Sequence, residues 1–226
     1  YKGNLKVSLP QTGTNDPHTW VRIDEAEVPG PSGTSGDQAE EQINSRPAVI
    51  CRNIRSLRTN VTAALAGKPD LVCLQEVDLS SHAMADTKQQ LLTAGYTAHW
   101  GEVVPLNKDG SNFGCRVAIC CKNAKAVDLT CDTDSEVQYL KRSGRWLERM
   151  IPTQDGQHLI VATLYGVSGA SADSAAQIEN ERLLAAAGVR MLQFRDVPYL
   201  LSLDANITPS ESDAIQQMLQ SGMVFD

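Results

Sequence analysis

Aromatic side chains are scarce in this chain: three Phe, three Trp and five Tyr make up 5% of its 226 residues. So little stacking surface argues against a protein that holds single-stranded nucleic acid by its bases. A basic excess is missing as well. Twenty Lys and Arg against 27 Asp and Glu give a net charge of −7, so no global field draws in nucleic acid or anionic membrane. An enzyme that grips phosphates locally remains open. No stretch approaches the roughly 20 continuous apolar residues of a membrane span, although the apolar share, 42%, is ordinary for a globular protein. The opening YKGNLKVSLPQTG has no apolar core of the kind a signal peptide needs. A start at Tyr1 rather than Met suggests a fragment or a processed chain. None of the six cysteines, Cys51, Cys73, Cys115, Cys120, Cys121 and Cys131, forms a C-x-x-C pair, which removes the usual support for a zinc site. Most lie in β-like runs, where a free cysteine packs as a small apolar residue. That pattern favours reduced thiols and an intracellular rather than a secreted setting, and the even count leaves disulfides open.

What is present divides the chain in two. Residues 1–25 carry only weak strand signals, around Leu5–Leu9 and Trp20–Ile23. The stretch EVPGPSGTSGDQAEEQ that follows cannot bury enough apolar surface to offset ordering and reads as a flexible linker. The expectation is an N-terminal extension over 1–46 and a globular domain over 47–226. Within that domain PAVICRNI and DLVCLQE read as strands, the second with an unbroken apolar run that implies burial on both faces. SLRTNVTAALAG and SHAMADTKQQLLTAG read as helices, the first with Ser56 as a possible cap and Gly67 as a stop, the second stopped by Gly95. YTAHWGEVV and CRVAICCK read as strands with the turn NKDG between them, and RWLERMIP and HLIVATLYG flank Asp155-Gly156 as a hairpin. A long amphipathic helix, the buried strand VPYLLSLDAN and a helix begun near Pro209 complete the pattern. Crossover helices at both ends with hairpins between them fit an α/β layered sandwich with mixed sheets better than a purely parallel sheet.

Several of these apolar strands end in polar residues of related type: Asn53, Gln75-Glu76, Tyr165, and Asp204 followed by Asn206. In layered α/β proteins ligands collect at strand ends, where loops leave a rigid core. Such a set supplies hard oxygen donors, suited to Mg²⁺ or Mn²⁺ rather than to zinc. Each residue also has an ordinary explanation. Glu76 could mark the wet end of its strand, Asn53 could cap the next helix, Asp204 and Asn206 could serve a turn, and Tyr165 could be a core or rim aromatic.

Together, CRNIRSL, PDLVCLQEVD, GCRVAICCK, LIVATLYGVSG and YLLSLDANITP resemble, in order, the motifs of the endonuclease/exonuclease/phosphatase superfamily, the deoxyribonuclease-I-like proteins. The resemblance covers about residues 47 to 226. In spacing and charge it looks most like the endonuclease domains of retroelements. It implies a four-layer sandwich of two mixed β-sheets flanked by helices. It also implies roles: Glu76 as metal ligand, Asn53 helping to place metal or phosphate, Asp204 activating the attacking water, Asn206 holding a phosphate oxygen or orienting the acid-base group, and Tyr165 contacting the phosphate. The implied activity is Mg²⁺- or Mn²⁺-dependent phosphodiester hydrolysis, with DNA as substrate. An inositol-phosphate or lipid-headgroup phosphatase, or a domain that binds without cleaving, stand as alternatives. Arg55, Arg142 and Arg145 are candidate substrate contacts, with Arg52, Arg58, Lys141 and Arg149 in the same basic stretches; solvated surface charge is the plain alternative. Departures from the pattern include Arg52 in place of Trp, Leu203 in place of Gly, and Ala205 in place of an aromatic. No histidine follows His158, whereas the family ends in an Asp-His pair. The expectation is therefore a domain incomplete at its C-terminus.

Overall fold

A computed structural model describes residues 20–21, 46–107, 109–129 and 134–223. The linker stretch, Cys131 and the last three residues lie outside them.

Two sheets face each other. The first has the order β1-β2-β3-β8-β5 and the second β11-β10-β9, where β1 is Trp20–Val21, β2 Val49–Asn53, β3 Leu71–Gln75, β5 Tyr96–Trp100, β8 Ala118–Lys122, β9 Trp146–Pro152, β10 His158–Tyr165 and β11 Tyr199–Asp204. Both are mixed. β2 runs parallel to β3, and β10 parallel to β11, whereas β8 and β9 run antiparallel to their neighbours. Strand alternation then sorts the side chains. Leu71, Cys73, Ile119, Cys121, Leu147, Ile151, Leu159, Val161 and Leu200 fill the layer between the sheets. Val72, Leu74, Ala118 and Cys120 point the other way, under α1 (Leu57–Ala64) and α2 (Ser81–Thr93). Trp146, Ile160, Ala162 and Leu164 pack against α3 (Ser135–Arg142), α4 (Ser174–Gln193) and α5 (Asp213–Gln220). The four layers of helix, sheet, sheet and helix agree with the expected sandwich, and the unbroken run of β3 is buried along its whole length. The five described cysteines are free thiols, four of them fully buried. Among the described residues no helix is long and apolar enough to cross a membrane.

Several local expectations are corrected. Ser56 does not cap α1 with its side chain; it sits in the left-handed region at φ 66°. The apolar stretches around 96–122 break into more pieces than their pattern predicts. β6 (Val104–Pro105) and β7 (Phe113–Cys115) leave the main sheet and form a small sheet with β4 (Leu79–Ser80). Pro209 starts a separate 3-10 turn over Pro209–Glu211, and α5 begins afterwards, with the Ser212 hydroxyl accepting from the Ile215 amide. Helix α3, capped by the Asp134 carboxylate, carries no expectation from the sequence. Arg52, grouped with the candidate phosphate contacts, is instead 7% exposed, and its guanidinium donates to the carbonyls of Ala63 and Ala66 at the end of α1.

Candidate active site

The parallel pairs align the strand ends. In one sheet Asn53 is the register partner of Gln75, and in the other Tyr165 is the partner of Asp204. The ends of β2, β3, β10 and β11 therefore open on the same edge of the sandwich, and two hydrogen bonds cross between the sheets there. Asn53 Nδ2 donates to Asp204 Oδ2 at 3.0 Å. The Tyr165 hydroxyl lies 3.3 Å from Glu76 Oε1 and 2.7 Å from Ser168 Oγ. Four residues far apart in sequence thus form one cluster of two carboxylates, a carboxamide and a phenol. None of the turn, cap or rim explanations for them accounts for both bonds.

The backbone at these ends is unusual. Of the seven described non-glycine residues with positive φ, five lie in the loops leaving β2, β3 and β11: Arg55, Ser56, Glu76, Asp78 and Asn206. Such conformations cost about 1–3 kcal/mol each and persist where the surroundings over-determine them. At Glu76, φ of 50° has a direct consequence. Regular alternation would turn this side chain away from the second sheet. The left-handed step lets it reach Tyr165 instead. Its carbonyl accepts from the Ser56 amide, and its neighbour Val77 donates to Arg116 O and accepts from the Leu57 amide, so the kink is held from both sides.

The electrostatics follow the geometry. Burial raises the Asp204 carboxyl above the ordinary range; the nearby Glu76 charge adds to this, and the bonds from Asn53 and the Asn206 backbone oppose it. Tyr165 is 6% exposed, and burial raises its phenol, partly offset by the Ser168 bond and by Arg145. A phenol so placed stays a hydrogen-bond donor. The only cation bonded directly to a cluster carboxylate among the described residues is Arg55, whose Nε lies 3.5 Å from Glu76 Oε2 and whose side chain is 90% exposed. Such an exposed pair contributes little, so Asp204 has the Asn53 and Asn206 bonds, but no ion pair, to offset the Glu76 charge. Glu76, Asp204 and the Asn53 carboxamide are hard oxygen donors. They fit a divalent cation such as Mg²⁺, which takes one or two carboxylates and retains much of its water. No cage of three or more His, Cys, Asp or Glu exists among the described residues.

The other candidates fall in different places. Asn206 donates from Nδ2 to Gly166 O at 3.1 Å and so ties the loop after β11 to the loop after β10. Arg145 lies at the cluster, but its guanidinium is engaged: Cζ sits 4.9 Å above the Tyr165 ring and Nη1 donates to Gly166 O at 2.7 Å. Burial lowers its pKa. Arg142, on α3, bonds Gln138 Oε1 at 3.2 Å. Arg149 pairs with Asp128 at 3.3 Å, and with Lys141, Trp100 and Trp146 it lines a small cavity of about 80 Å³.

Supporting residues escaped the sequence reading. Asn180, fully buried on α4, accepts from the Val167 amide at 2.7 Å and donates to Ala205 O at 2.9 Å, joining the two loops that follow Tyr165 and Asp204. Gly166 belongs to the same junction. A Cβ there would lie 2.4 Å from Ala205 O and 2.8 Å from Asn180 Oδ1, so only glycine fits the approach. A lone Asn on the apolar stripe of a long helix was the available signal for this junction. Ser168 lies three residues beyond Tyr165 in an ordinary-looking turn and offered none.

No family model and no curated protein matches the sequence. Solved structures do match. The fold is similar to the catalytic domain of Xenopus laevis APE2 (TM-score 0.55, 16% identity, covering 76% of this chain and 66% of that one). It is likewise similar to the human Nocturnin catalytic domain with bound sulfate anion (TM-score 0.54, 17% identity, 78% and 71%). A third is an endonuclease/exonuclease/phosphatase protein from Beutenbergia cavernae (TM-score 0.54, 18% identity), of which the chain spans 53% while 77% of its own length is covered. The chain has the endonuclease/exonuclease/phosphatase fold, the deoxyribonuclease-I-like sandwich of two mixed sheets.

Proposed function

We propose that the protein is a divalent-metal-dependent phosphodiesterase and that its substrate is DNA, cut internally as by the endonuclease domains of retroelements. The observation that carries this reading is the pairing of Glu76 with Tyr165 and of Asp204 with Asn53 across the mouth of the sandwich. The human Nocturnin catalytic domain, to which the fold is similar, is a structure with a bound sulfate anion. Phosphodiester hydrolysis needs a positioned water, a proton acceptor and donors around the oxygens that gain charge. Glu76 and Asn53 would hold Mg²⁺ or Mn²⁺, which supplies Lewis-acid stabilisation of that charge when bound. Asp204, held by Asn53 and raised in pKa by burial, accepts the proton of the attacking water. The Tyr165 hydroxyl, whose one hydrogen is directed at Glu76, turns to donate to a non-bridging phosphate oxygen, its ring kept in place by Arg145 stacked on it and its oxygen by Ser168. Asn206 fixes the loop that follows Asp204. Arg55, exposed and beside Glu76, is the side chain best placed to meet a phosphate.

A second reading, a phosphatase or phosphodiesterase acting on inositol phosphates or lipid headgroups, is favoured by the net charge of −7, which repels a long polyanion more than a small one. None of the three described histidines, His82, His99 and His158, is bonded to the cluster, and this favours a domain that binds without cleaving. One panel separates the readings: supercoiled plasmid, single-stranded DNA, RNA and inositol phosphates, each with Mg²⁺ or EDTA. Mg²⁺-dependent plasmid nicking supports the endonuclease. Turnover of inositol phosphates alone transfers the reading to small phosphoesters. Metal binding with no turnover of any substrate leaves a binding domain.

A further inference from the structure

One layer beneath the cluster, the interior between the sheets is not wholly apolar. Gln75, Thr163 and Ser202 are 3%, 0% and 2% exposed. Gln75 Nε2 donates to Thr163 Oγ1 at 2.8 Å and to Ser202 Oγ at 2.6 Å, which uses both of its hydrogens. The surrounding side chains, Cys73, Val161 and Leu200 among them, are apolar. An apolar residue in place of Gln75 would match that layer without desolvating a carboxamide. The polar choice therefore needs a reason beyond filling space.

The register supplies one. Thr163 and Ser202 are partners on β10 and β11, and each stands two residues before a site residue, Tyr165 and Asp204. A two-residue step along a strand keeps the same face and rises roughly 6.6 Å. Each hydrogen of the Gln75 amide nitrogen thus grips the strand directly below a site side chain, while the residue after Gln75 is Glu76 itself. A single side chain fixes the relative height of three strand ends that belong to two different sheets. We propose that Gln75 is a positioning residue for Glu76: its carboxamide, bonded to both strands opposite, sets where the Glu76 carboxylate stands relative to Tyr165 and Asp204 and so the affinity of the Glu76 site for a divalent ion. This rests on the metal-dependent reading above.

Mn²⁺ binding, followed by the electron paramagnetic resonance of the free ion, tests it apart from catalysis. In the triple variant Gln75→Met, Thr163→Val, Ser202→Ala the three side chains joined through the carboxamide lose their polar groups together, so the fold is expected to hold, because replacing both sides of a buried bond by apolar groups is nearly neutral. Its Mn²⁺ affinity should fall roughly 10- to 100-fold, the range for residues that orient metal ligands. Ser202→Ala alone, the mildest change, should weaken Mn²⁺ binding by a smaller factor and keeps the test valid if the triple variant does not fold. A triple variant, or Ser202→Ala, that melts as wild type and binds Mn²⁺ as wild type would overturn the positioning role and leave the metal reading standing. A wild-type protein that binds no Mn²⁺ would overturn both.

Discussion

Replacing Asn180 with Leu probes how the two site loops are held. The side chain is fully buried and closes two bonds to backbone, from the Val167 amide and to the Ala205 carbonyl. Leucine has a similar volume and removes both, so a buried N–H and a buried C=O lose their partner. Each orphaned group costs about 1–3 kcal/mol. The extra apolar burial of the leucine offsets about 1.5 kcal/mol of that sum. Two orphaned groups less that gain leave a net loss of about 0.5–4.5 kcal/mol, centred on about 2.5 kcal/mol. In a domain of this size a loss of about 2.5 kcal/mol lowers Tm by roughly 5–10 °C. Equilibrium urea unfolding measures the free energy. Hydrogen exchange supplies the local readout, since the Val167 amide should exchange faster in the variant while amides in the middle of β3 change only with global stability. A leucine variant within about 0.5 kcal/mol of wild type, with an equally protected Val167 amide, would refute the claim that this side chain ties the loops together.

Other expectations follow from single groups. Glu148 and Arg190, 6% and 4% exposed, form a buried pair at 2.8 Å joined by the Tyr199 hydroxyl; Glu148→Leu leaves an uncompensated guanidinium and should cost about 3–5 kcal/mol in urea unfolding. Asp204 has a raised folded-state pKa, so the folded protein binds its proton more tightly than the unfolded chain and this group lowers stability as pH rises through that value. Asp204→Asn should therefore melt higher than wild type at pH 7, with the gap closing in acid, and an equal or lower Tm at pH 7 would contradict the assignment. His99 behaves in the opposite sense. Burial, with Arg149 adding to it, depresses its pKa to about 4 from 6.5, with Nε2 buried and unpartnered. Stability that is present above pH 6.5 should be lost as pH falls towards 4, and His99→Gln should flatten that part of the Tm-against-pH curve.

The sheets were legible in the sequence because their strands are buried on both faces. A run such as Leu71–Leu74 has no amphipathic reading that competes with a central strand. The candidate cluster stood out for a related reason: charged and amide side chains directly follow several such runs, although each alone also has an ordinary structural explanation. Elements with little core contact were not legible. Helix α3 buries only Val137 and Leu140, too short a stripe to stand out, and strands of two or three residues such as β4 and β6 leave no period at all. The polarity of Thr163 and Ser202 within apolar strands looked like ordinary strand composition, because only the parallel register makes them neighbours of each other and of Gln75. Basic residues were the least readable. Arg52 turns inward to finish a helix and Arg145 braces Tyr165, and no local pattern distinguishes such arginines from ones that meet a phosphate.

The most direct measurement is nicking of supercoiled plasmid by wild type, Glu76→Gln and Asp204→Asn, each checked for folding, with Mg²⁺ or EDTA. Wild type should cleave in Mg²⁺ and not in EDTA, and either variant should lose at least about 100-fold while staying folded. Cleavage that survives both substitutions, or that proceeds equally in EDTA, would contradict the claim that these two carboxylates form the catalytic centre.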